Sequence, residues 1–215
     1  MTTNKKYSIL KKITLIIFLV GYCSYGLTQD LSEPEKLLRE AISQAMAEIN
    51  LDKSIIQDKT KLLSLVENQV LPLFNMRRIT ARTVGREGWP AATTNQRELL
   101  VKYFTDLLVY TYSNALISKK DVDPNIVIDW GRAIVDEKRA EIQSSILVSD
   151  SKVRFDYVLR YSNKTGWKID DLVLENLSIF NQYKEQFAAV MKNQGGVDGL
   201  INKLKEDVDK LKASE

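Results

Sequence analysis

The residue types that usually carry enzymatic chemistry are scarce in this chain. It has 215 residues, no histidine and a single cysteine, Cys23, near its start. A chain without histidine lacks the commonest general base and the commonest metal ligand. No serine stands in a Gly-x-Ser-x-Gly turn, and no glycine-rich phosphate loop or dinucleotide fingerprint occurs. The composition therefore excludes histidine-based triads and most zinc sites.

Asp171 is the best remaining acidic candidate. It shares the two-residue alternation of Trp167, Ile169 and Val173, which predicts a position on the covered apolar face of a strand. Burial there would raise the pKa of the carboxyl group, as general-base catalysis requires. The alternative is a structural role near the strand end, with the carboxylate hydrogen-bonded to neighbouring backbone. We favour the structural role because most carboxylates are not catalytic.

A series of aromatic residues recurs at helical or strand spacing in both halves of the chain. Such residues either fill a core or line a ligand cavity, and periodicity does not distinguish the two. The series consists of Phe104, Tyr112, Phe155, Tyr157, Trp167 and Phe187.

The first 26 residues have the pattern of a cleavable secretory signal peptide. Four lysines precede an apolar run over residues 13–20, and Ser24 and Gly26 provide small side chains before a cleavage site after Gly26. The run is too short to span a membrane. A lipoprotein signal ending at Cys23 is the alternative, but bulky Tyr22 fits it poorly. Either route predicts export to the periplasm.

Residues 27–215 are predicted to form a single domain without disulfides. They carry 27 basic and 28 acidic residues, so the apparent basicity of the full chain belongs to the export signal. This near-neutral balance does not favour nucleic acid as a partner. A length of 189 residues suits one domain with a sizeable core.

Helical signals dominate both ends of this domain. Pro34 marks the start of an amphipathic first helix, and Asp58 and Asn75 are predicted caps of the next two. A short helix should end at Gly85. Thr93 and Gln96 form a capping-box pattern before the longest helix. Two further helices are predicted on either side of residues 195–196.

Between the helices the hydrophobic period changes to two. Residues 126–177 alternate in four runs separated by turn residues, which predicts an antiparallel meander of about four strands. Polar alternates such as Arg154, Asp156 and Arg160 indicate one solvent-facing side, with the aromatic side covered. The order of elements predicts an α+β fold of about four strands and about six or seven helices.

Three blocks of residues carry a resemblance to a known family. The first block contains Val70, Pro72, Phe74, Gly85, Trp89, Ala92, Thr93, Gln96, Arg97, Phe104, Leu107, Leu108, Tyr112 and Leu116. The second contains Gly166, Trp167, Lys168, Asp171, Glu175 and Ser178, and the third contains Tyr183, Gln186, Phe187, Gly196 and Leu200. In this order and spacing, the blocks resemble the MlaC family of periplasmic phospholipid-binding proteins, also called toluene-tolerance auxiliary proteins of an ABC transport system. The departures are mild, and one of them is Asn176, where relatives often carry glycine.

The resemblance implies a phospholipid carrier rather than an enzyme. Family members move glycerophospholipid between an outer-membrane lipoprotein–porin complex and an inner-membrane ABC transporter complex with a membrane-anchored substrate-binding subunit. This traffic maintains outer-membrane lipid asymmetry. No cofactor is implied, and the phospholipid is cargo. The family fold is a curved antiparallel sheet wrapped by helices, with a deep apolar pocket between them. The alternative function is an isomerase-like cone-fold enzyme with Asp171 as general base.

On this hypothesis the apolar surplus of the chain surrounds acyl chains. We expect eleven residues to line the pocket or its mouth: Phe74, Met76, Trp89, Phe104, Leu108, Tyr112, Phe155, Tyr157, Trp167, Leu177 and Phe187.

Overall fold

The computed structural model describes residues 32–118, 127–148 and 151–213. This part of the chain contains six α-helices: α1 (Glu33–Leu51), α2 (Lys59–Leu65), α3 (Met76–Ala91), α4 (Thr94–Ser118), α5 (Ile179–Asn193) and α6 (Gly196–Ala213). Its five strands are β1 (Ile128–Asp136), β2 (Arg139–Val148), β3 (Ser151–Ser162), β4 (Gly166–Leu174) and β5 (Leu177–Ser178). Short 3-10 and π turns at Lys53–Ile56, Val66–Val70 and Leu71–Leu73 connect α1, α2 and α3.

The five strands form one antiparallel sheet in sequential order, β1-β2-β3-β4-β5. This confirms the predicted α+β meander, and the two-residue β5 is an addition to the four strands expected. The tight turn before β5 places Glu175 and Asn176 at positive φ. Asparagine tolerates this left-handed conformation better than most residues, so Asn176 keeps a turn where glycine is frequent.

The predicted helix caps are present. The Asp58 and Asn75 side chains accept hydrogen bonds from backbone N–H groups in the first turns of α2 and α3, at 3.0 and 3.1 Å. Thr93 and Gln96 form the reciprocal capping box, with bonds of 2.8 and 3.2 Å. Local side-chain chemistry therefore sets the starts of these helices.

Gly85 divides α3 into two segments. Its φ of 86° and ψ of −178° lie in a region that is open essentially to glycine alone. The first segment ends at Gly85 as predicted, but a second helical segment, which was not predicted, follows it directly as far as Ala91. The second segment carries Gly88 against Met191 of α5, so α3 and α5 pack closely there.

A β-bulge at Asp170 interrupts the alternation of β4. Val158 pairs with Asp171, whereas the next residue of β3, Leu159, pairs with Ile169, so Asp170 has no partner across the ladder. An extra residue of this kind reverses the faces of the residues that follow. Leu172 consequently continues the apolar side begun by Trp167 and Ile169.

The start of α3 is fastened to the edge of β4. Phe74 forms a parallel bridge with Ile169, and the Asn75 N–H donates to the Ile169 carbonyl at 3.4 Å. One turn further on, Arg78 and Arg82 bind the buried Asp170 carboxylate at 2.7 and 2.6 Å. The bulge is therefore the point at which the helical layer is tied to the sheet.

No helix in the described ranges is long and apolar enough to cross a membrane. The predicted signal peptide and Cys23 lie outside the described residues.

The tie at Asp170 leads to a stability prediction. We expect Asp170→Asn to lower the free energy of unfolding by about 2 kcal/mol, because the neutral amide leaves the guanidinium groups of Arg78, Arg82 and the nearby Arg160 without their shared counter-charge. Urea denaturation followed by circular dichroism measures the change. Asp129→Asn is the control, since Asp129 pairs with Lys152 on the exposed surface and its loss should have a clearly smaller effect. Equal effects in the two variants would contradict a special role for the bulge.

Candidate functional site

The interior is divided into separate apolar clusters. We call the cluster centred on α4, α5 and α6 the helix wall, and the cluster on the inner face of the sheet the sheet wall. A third cluster joins α1, α2 and the end of α4 around Leu62. A domain of this size usually has one contiguous core with minor satellites. The described part of the chain instead has two clusters of comparable size, which meet at Phe74.

Phe104 is the centre of the helix wall. Its fully buried ring meets Phe187, Tyr183 and Phe180 of α5 edge-on, with centroid distances of 4.9, 5.1 and 6.3 Å. Such perpendicular contacts suit the charge distribution of aromatic rings. Four predicted site residues pack against this wall from partly buried positions: Phe74, Met76, Trp89 and Leu108.

Tyr157 and Trp167 belong to the sheet wall. The Tyr157 ring stacks on Trp130 at 6.1 Å and meets Phe155 edge-on at 5.0 Å. Trp167 lies 5.5 Å from the Tyr161 ring. Leu38 of α1 is fully buried against this surface, which confirms that the aromatic side of the sheet is covered.

Phe74 alone, among the described residues, packs against both walls. It immediately precedes Asn75, the cap of α3, at the point where the chain bridges to β4. Most of the predicted site residues therefore fall into two groups, one on each wall, and the two groups meet only at Phe74.

Tyr112 and Leu177 lie outside both walls. They are 47% and 62% exposed, which is unusual for large apolar side chains. Tyr112 and Leu116 follow Leu108 at four-residue spacing on one face of α4. Leu174 is also exposed, and it pairs with both Phe155 and Leu177 across neighbouring strands. These residues form two exposed apolar strips, one on α4 and one at the end of the sheet.

Three tyrosines in this region have raised pKa values. Burial raises the pKa of Tyr157 and of Tyr183 to about 12, with nearby Tyr112 adding to the effect on Tyr183. Burial also raises the pKa of Tyr112 itself. The uncharged phenol is favoured because the surroundings solvate charge poorly. Both walls thus present a weakly polar environment.

Asp171 has a structural role, and its predicted place on the apolar face is wrong. The bulge at Asp170 shifts the alternation, so that Leu172 takes the inner position. The Asp171 carboxylate accepts hydrogen bonds from the Leu172 N–H at 2.8 Å and the Ser178 hydroxyl at 2.6 Å. Ser178 in turn caps α5. The acid is buried because it connects β4 to this helix, not because it faces a substrate.

The eleven predicted site residues do not include several wall residues, among them Trp130, Leu172 and Tyr183. Tyr183 carried a usable signal, since it lies four residues before Phe187 in the periodic pattern of α5. The sequence contained no signal for Leu172, because this residue faces inward only as a result of the bulge at Asp170. No group of acidic side chains in the described ranges is arranged to hold a metal ion.

Two surface grooves flank α3, with volumes of about 380 and 1220 Å³. Of the eleven predicted site residues, only Trp89 contributes to either groove. Both grooves contain several arginines and lysines. The larger groove is also lined by members of the helix wall, among them Val84, Phe180 and Met191.

Comparison with known proteins decides the family. Residues 39–206 match the model of the family described as MlaC protein. The chain belongs to the MlaC family. A solved structure of the phospholipid-binding protein from Ralstonia solanacearum, in complex with a phospholipid, has the same fold, with a TM-score of 0.74 and 27% sequence identity. The match covers 84% of this chain and 99% of that one. A sequence comparison with curated proteins gives no significant match.

The raised pKa values in this MlaC-family protein predict its behaviour at alkaline pH. Below pH 10 the phenols are protonated in both folded and unfolded chains, so their contribution to stability is complete. Between about pH 10 and about 12 the unfolded chain loses these protons first, and stability falls.

Absorbance at 295 nm should show tyrosines that ionise near pH 12. Tyr157→Phe should remove one of these late transitions and reduce the loss of stability above pH 10, as measured by urea denaturation. Tyr161→Phe is a matched conservative control. A Tyr157→Phe titration identical to that of the unmodified protein would contradict the buried phenol.

Proposed function

We propose that this protein is a phospholipid carrier that sheathes acyl chains between the helix wall and the sheet wall. The observation that carries the proposal is the divided interior, in which Phe74 alone packs on both walls. Membership of the MlaC family and similarity to a protein solved with a phospholipid support binding of the same class of ligand.

The energetics of acyl chains explain why such a carrier is needed. At about 0.8 kcal/mol per buried CH₂, a chain of about sixteen carbons costs roughly 13 kcal/mol to expose to water. Spontaneous transfer through an aqueous compartment is therefore rare. A protein that replaces water around the tail removes most of this cost and has no need to break or form a covalent bond.

The apolar strips define where the lipid enters. Tyr112 and Leu116 on α4, and Leu174 and Leu177 on the sheet, are exposed, whereas Leu108 and Phe155 beside them are partly buried. Exposed apolar surface of this kind marks sites that are covered by a ligand or a partner. We place the tails inside, against Leu108 and Phe155, and the headgroup at the rim formed by the strips.

Release requires that the walls do not outcompete a bilayer for the tails. The walls are lined mainly by aliphatic and aromatic side chains, and the tyrosines contribute neutral phenols. Such a lining stabilises any buried acyl chain and does not distinguish between headgroups. Weak headgroup selectivity follows from this arrangement.

The transport route is part of the same proposal. The predicted export signal places the protein in the periplasm, and the family resemblance implies exchange between an outer-membrane lipoprotein–porin complex and an inner-membrane ABC transporter complex. The carrier would thereby help to maintain outer-membrane lipid asymmetry. Its role is binding and transfer, with no catalytic step and with phospholipid as cargo.

Mass spectrometry of the protein purified without added lipid provides the direct test. We expect co-purified glycerophospholipids with several headgroups, because the tails dominate the binding energy. Native mass spectrometry gives the number of lipids bound, and extraction followed by lipid analysis gives their classes. A lipid-free protein that also fails to extract labelled phospholipid from vesicles would overturn the carrier function.

Charged substitutions on the two walls should lower lipid occupancy. Leu108→Glu and Phe155→Glu each place a carboxylate against the tails, at partly buried positions where the fold itself suffers less than at Phe104. We expect lipid-to-protein ratios to fall by about tenfold, since an acyl chain cannot solvate the charge. Val135→Glu, on the exposed part of β1, is the control. Thermal denaturation identifies any variant that has lost occupancy through unfolding, and unchanged ratios in folded wall variants would contradict the pocket assignment.

A further inference from the structure

The smaller groove beside α3 is a basic pocket. It has a volume of about 380 Å³ and lies between the first turns of α3, β4 and the turn that joins β3 to β4. Its charged lining consists of Arg77, Arg78, Arg160 and Lys168 with a single carboxylate, Asp170. Four positive groups therefore face one negative group, in a domain whose overall balance is close to neutral. We use the term basic pocket for these five residues.

Two of the arginines occupy an unfavourable place on their helix. Arg77 and Arg78 follow the Asn75 cap in the first turn of α3, which contains no acidic residue. The N-terminus of a helix is electropositive, and acidic residues or bound anions stabilise it. Repeated positive charge at this end opposes helix formation unless an anion lies nearby. Asp170 supplies that anion for Arg78 only.

The one carboxylate of the pocket, that of Asp170, is already bound by arginines. Asp170 binds Arg78 and Arg82 directly, and Arg160 Nε lies 3.6 Å from the same carboxylate. That buried nitrogen has no hydrogen-bond partner within the described residues. The Arg77 guanidinium forms no ion pair in the described part of the chain and lies 5.6 Å from the centre of the Trp89 ring. The lining therefore has more positive charge than its one carboxylate neutralises.

The two basic strand residues of the pocket lie on the face of the sheet opposite the sheet wall. Arg160 and Lys168 pair across β3 and β4, and they alternate with Leu159, Trp167 and Ile169 of the sheet wall. Adjacent strand residues point to opposite faces. Acyl chains held between the walls would consequently be separated from this pocket by the sheet, so the cargo's own headgroup is not the expected occupant.

We propose that the basic pocket binds the phosphate of a phospholipid headgroup at an anionic bilayer surface. Arginine presents several N–H groups in a fixed planar arrangement that matches phosphate oxygens, and the helix N-terminus adds a favourable dipole. The larger groove extends the positive surface with Arg86, Lys184 and Lys192, none of which has an ion pair within the described ranges. Clustered basic residues of this kind attract anionic membranes. Trp89, which lines both grooves, is a residue type enriched at membrane interfaces.

The pocket thus docks the protein on a membrane. Docking is a separate function from holding the lipid cargo, and it does not require that cargo to be bound.

Vesicle co-sedimentation tests the proposal with the full mature chain. Phosphatidylcholine vesicles with and without phosphatidylglycerol serve as probes, at low and at physiological ionic strength. We expect stronger binding to the anionic vesicles, and a decrease of about tenfold for Arg77→Glu/Lys168→Glu. Lys53→Glu/Lys205→Glu makes the same charge change at exposed positions elsewhere and should reduce binding by less than about threefold.

A second variant shows whether reduced binding results from loss of charge or from misfolding. Arg77→Gln/Lys168→Gln removes the charges but keeps a donor for the Pro72 carbonyl, which accepts from Lys168 Nζ at 2.6 Å. Both pocket variants should retain the co-purified lipid of the unmodified protein. A parallel loss of that lipid in folded variants would mean that the pocket holds the cargo headgroup, and would overturn membrane docking through a separate site.

Two further outcomes would also overturn the proposal. One is equal loss of binding in the pocket and control variants, which would reveal diffuse charge attraction. The other is absence of preference for anionic vesicles.

A competition experiment at matched ionic strength identifies which anion the pocket binds. Glycerol phosphate should displace the protein from vesicles, whereas displacement by poly-glutamate alone would identify an acidic polypeptide as the occupant. Failure of the carrier function is distinguishable, since a lipid-free protein could still bind anionic vesicles.

Discussion

The buried carboxylate of Asp170 is the constraint on which the arrangement of the two layers depends. It projects from a bulge in β4 and binds Arg78 and Arg82 of α3, while Phe74 and Asn75 pair with Ile169 at the edge of the same strand. Backbone pairing fixes the position of α3 along strand β4, and the ion pairs fix the rotation of α3 about its own axis. A buried acid shared by several arginines tolerates little displacement, because its loss of solvation must be offset by well-placed partners.

This attachment at one edge has a consequence for the interior. The helices α1, α3 and α5 contact the sheet, whereas the long helix α4 packs mainly on α2, α3 and α6. The aromatic surfaces of α4 and of the sheet can therefore remain separate, each organised by its own ring contacts. Close packing normally fuses such surfaces into one core. On the proposed function, acyl chains of the cargo would contact both surfaces.

The positive charge of the molecule is distributed in a way that complements this division. Apolar residues and neutral phenols face inward, whereas arginines and lysines are concentrated along α3 on the outside. The interior then interacts with the part of a phospholipid that avoids water, and the basic exterior suits its anionic part. On the proposed function, the two surfaces serve different stages of contact with a membrane, retention of a lipid and approach to the bilayer from which lipids come.

Local sequence signals determined the elements of this protein, and the tertiary structure decided which residues face one another. Caps at Asp58, Asn75 and Thr93, the break at Gly85 and the alternation of the strands were predictable because each depends on residues close in the chain. The family followed from the order of short blocks. The bulge at Asp170 was not predictable, because it arises from pairing with β3 and from arginines about ninety residues earlier. It moved Asp171 off the apolar face and brought Leu172 onto it. The division of the aromatic residues into two walls is likewise a property of packing, since periodicity states which face is apolar but not what that face meets.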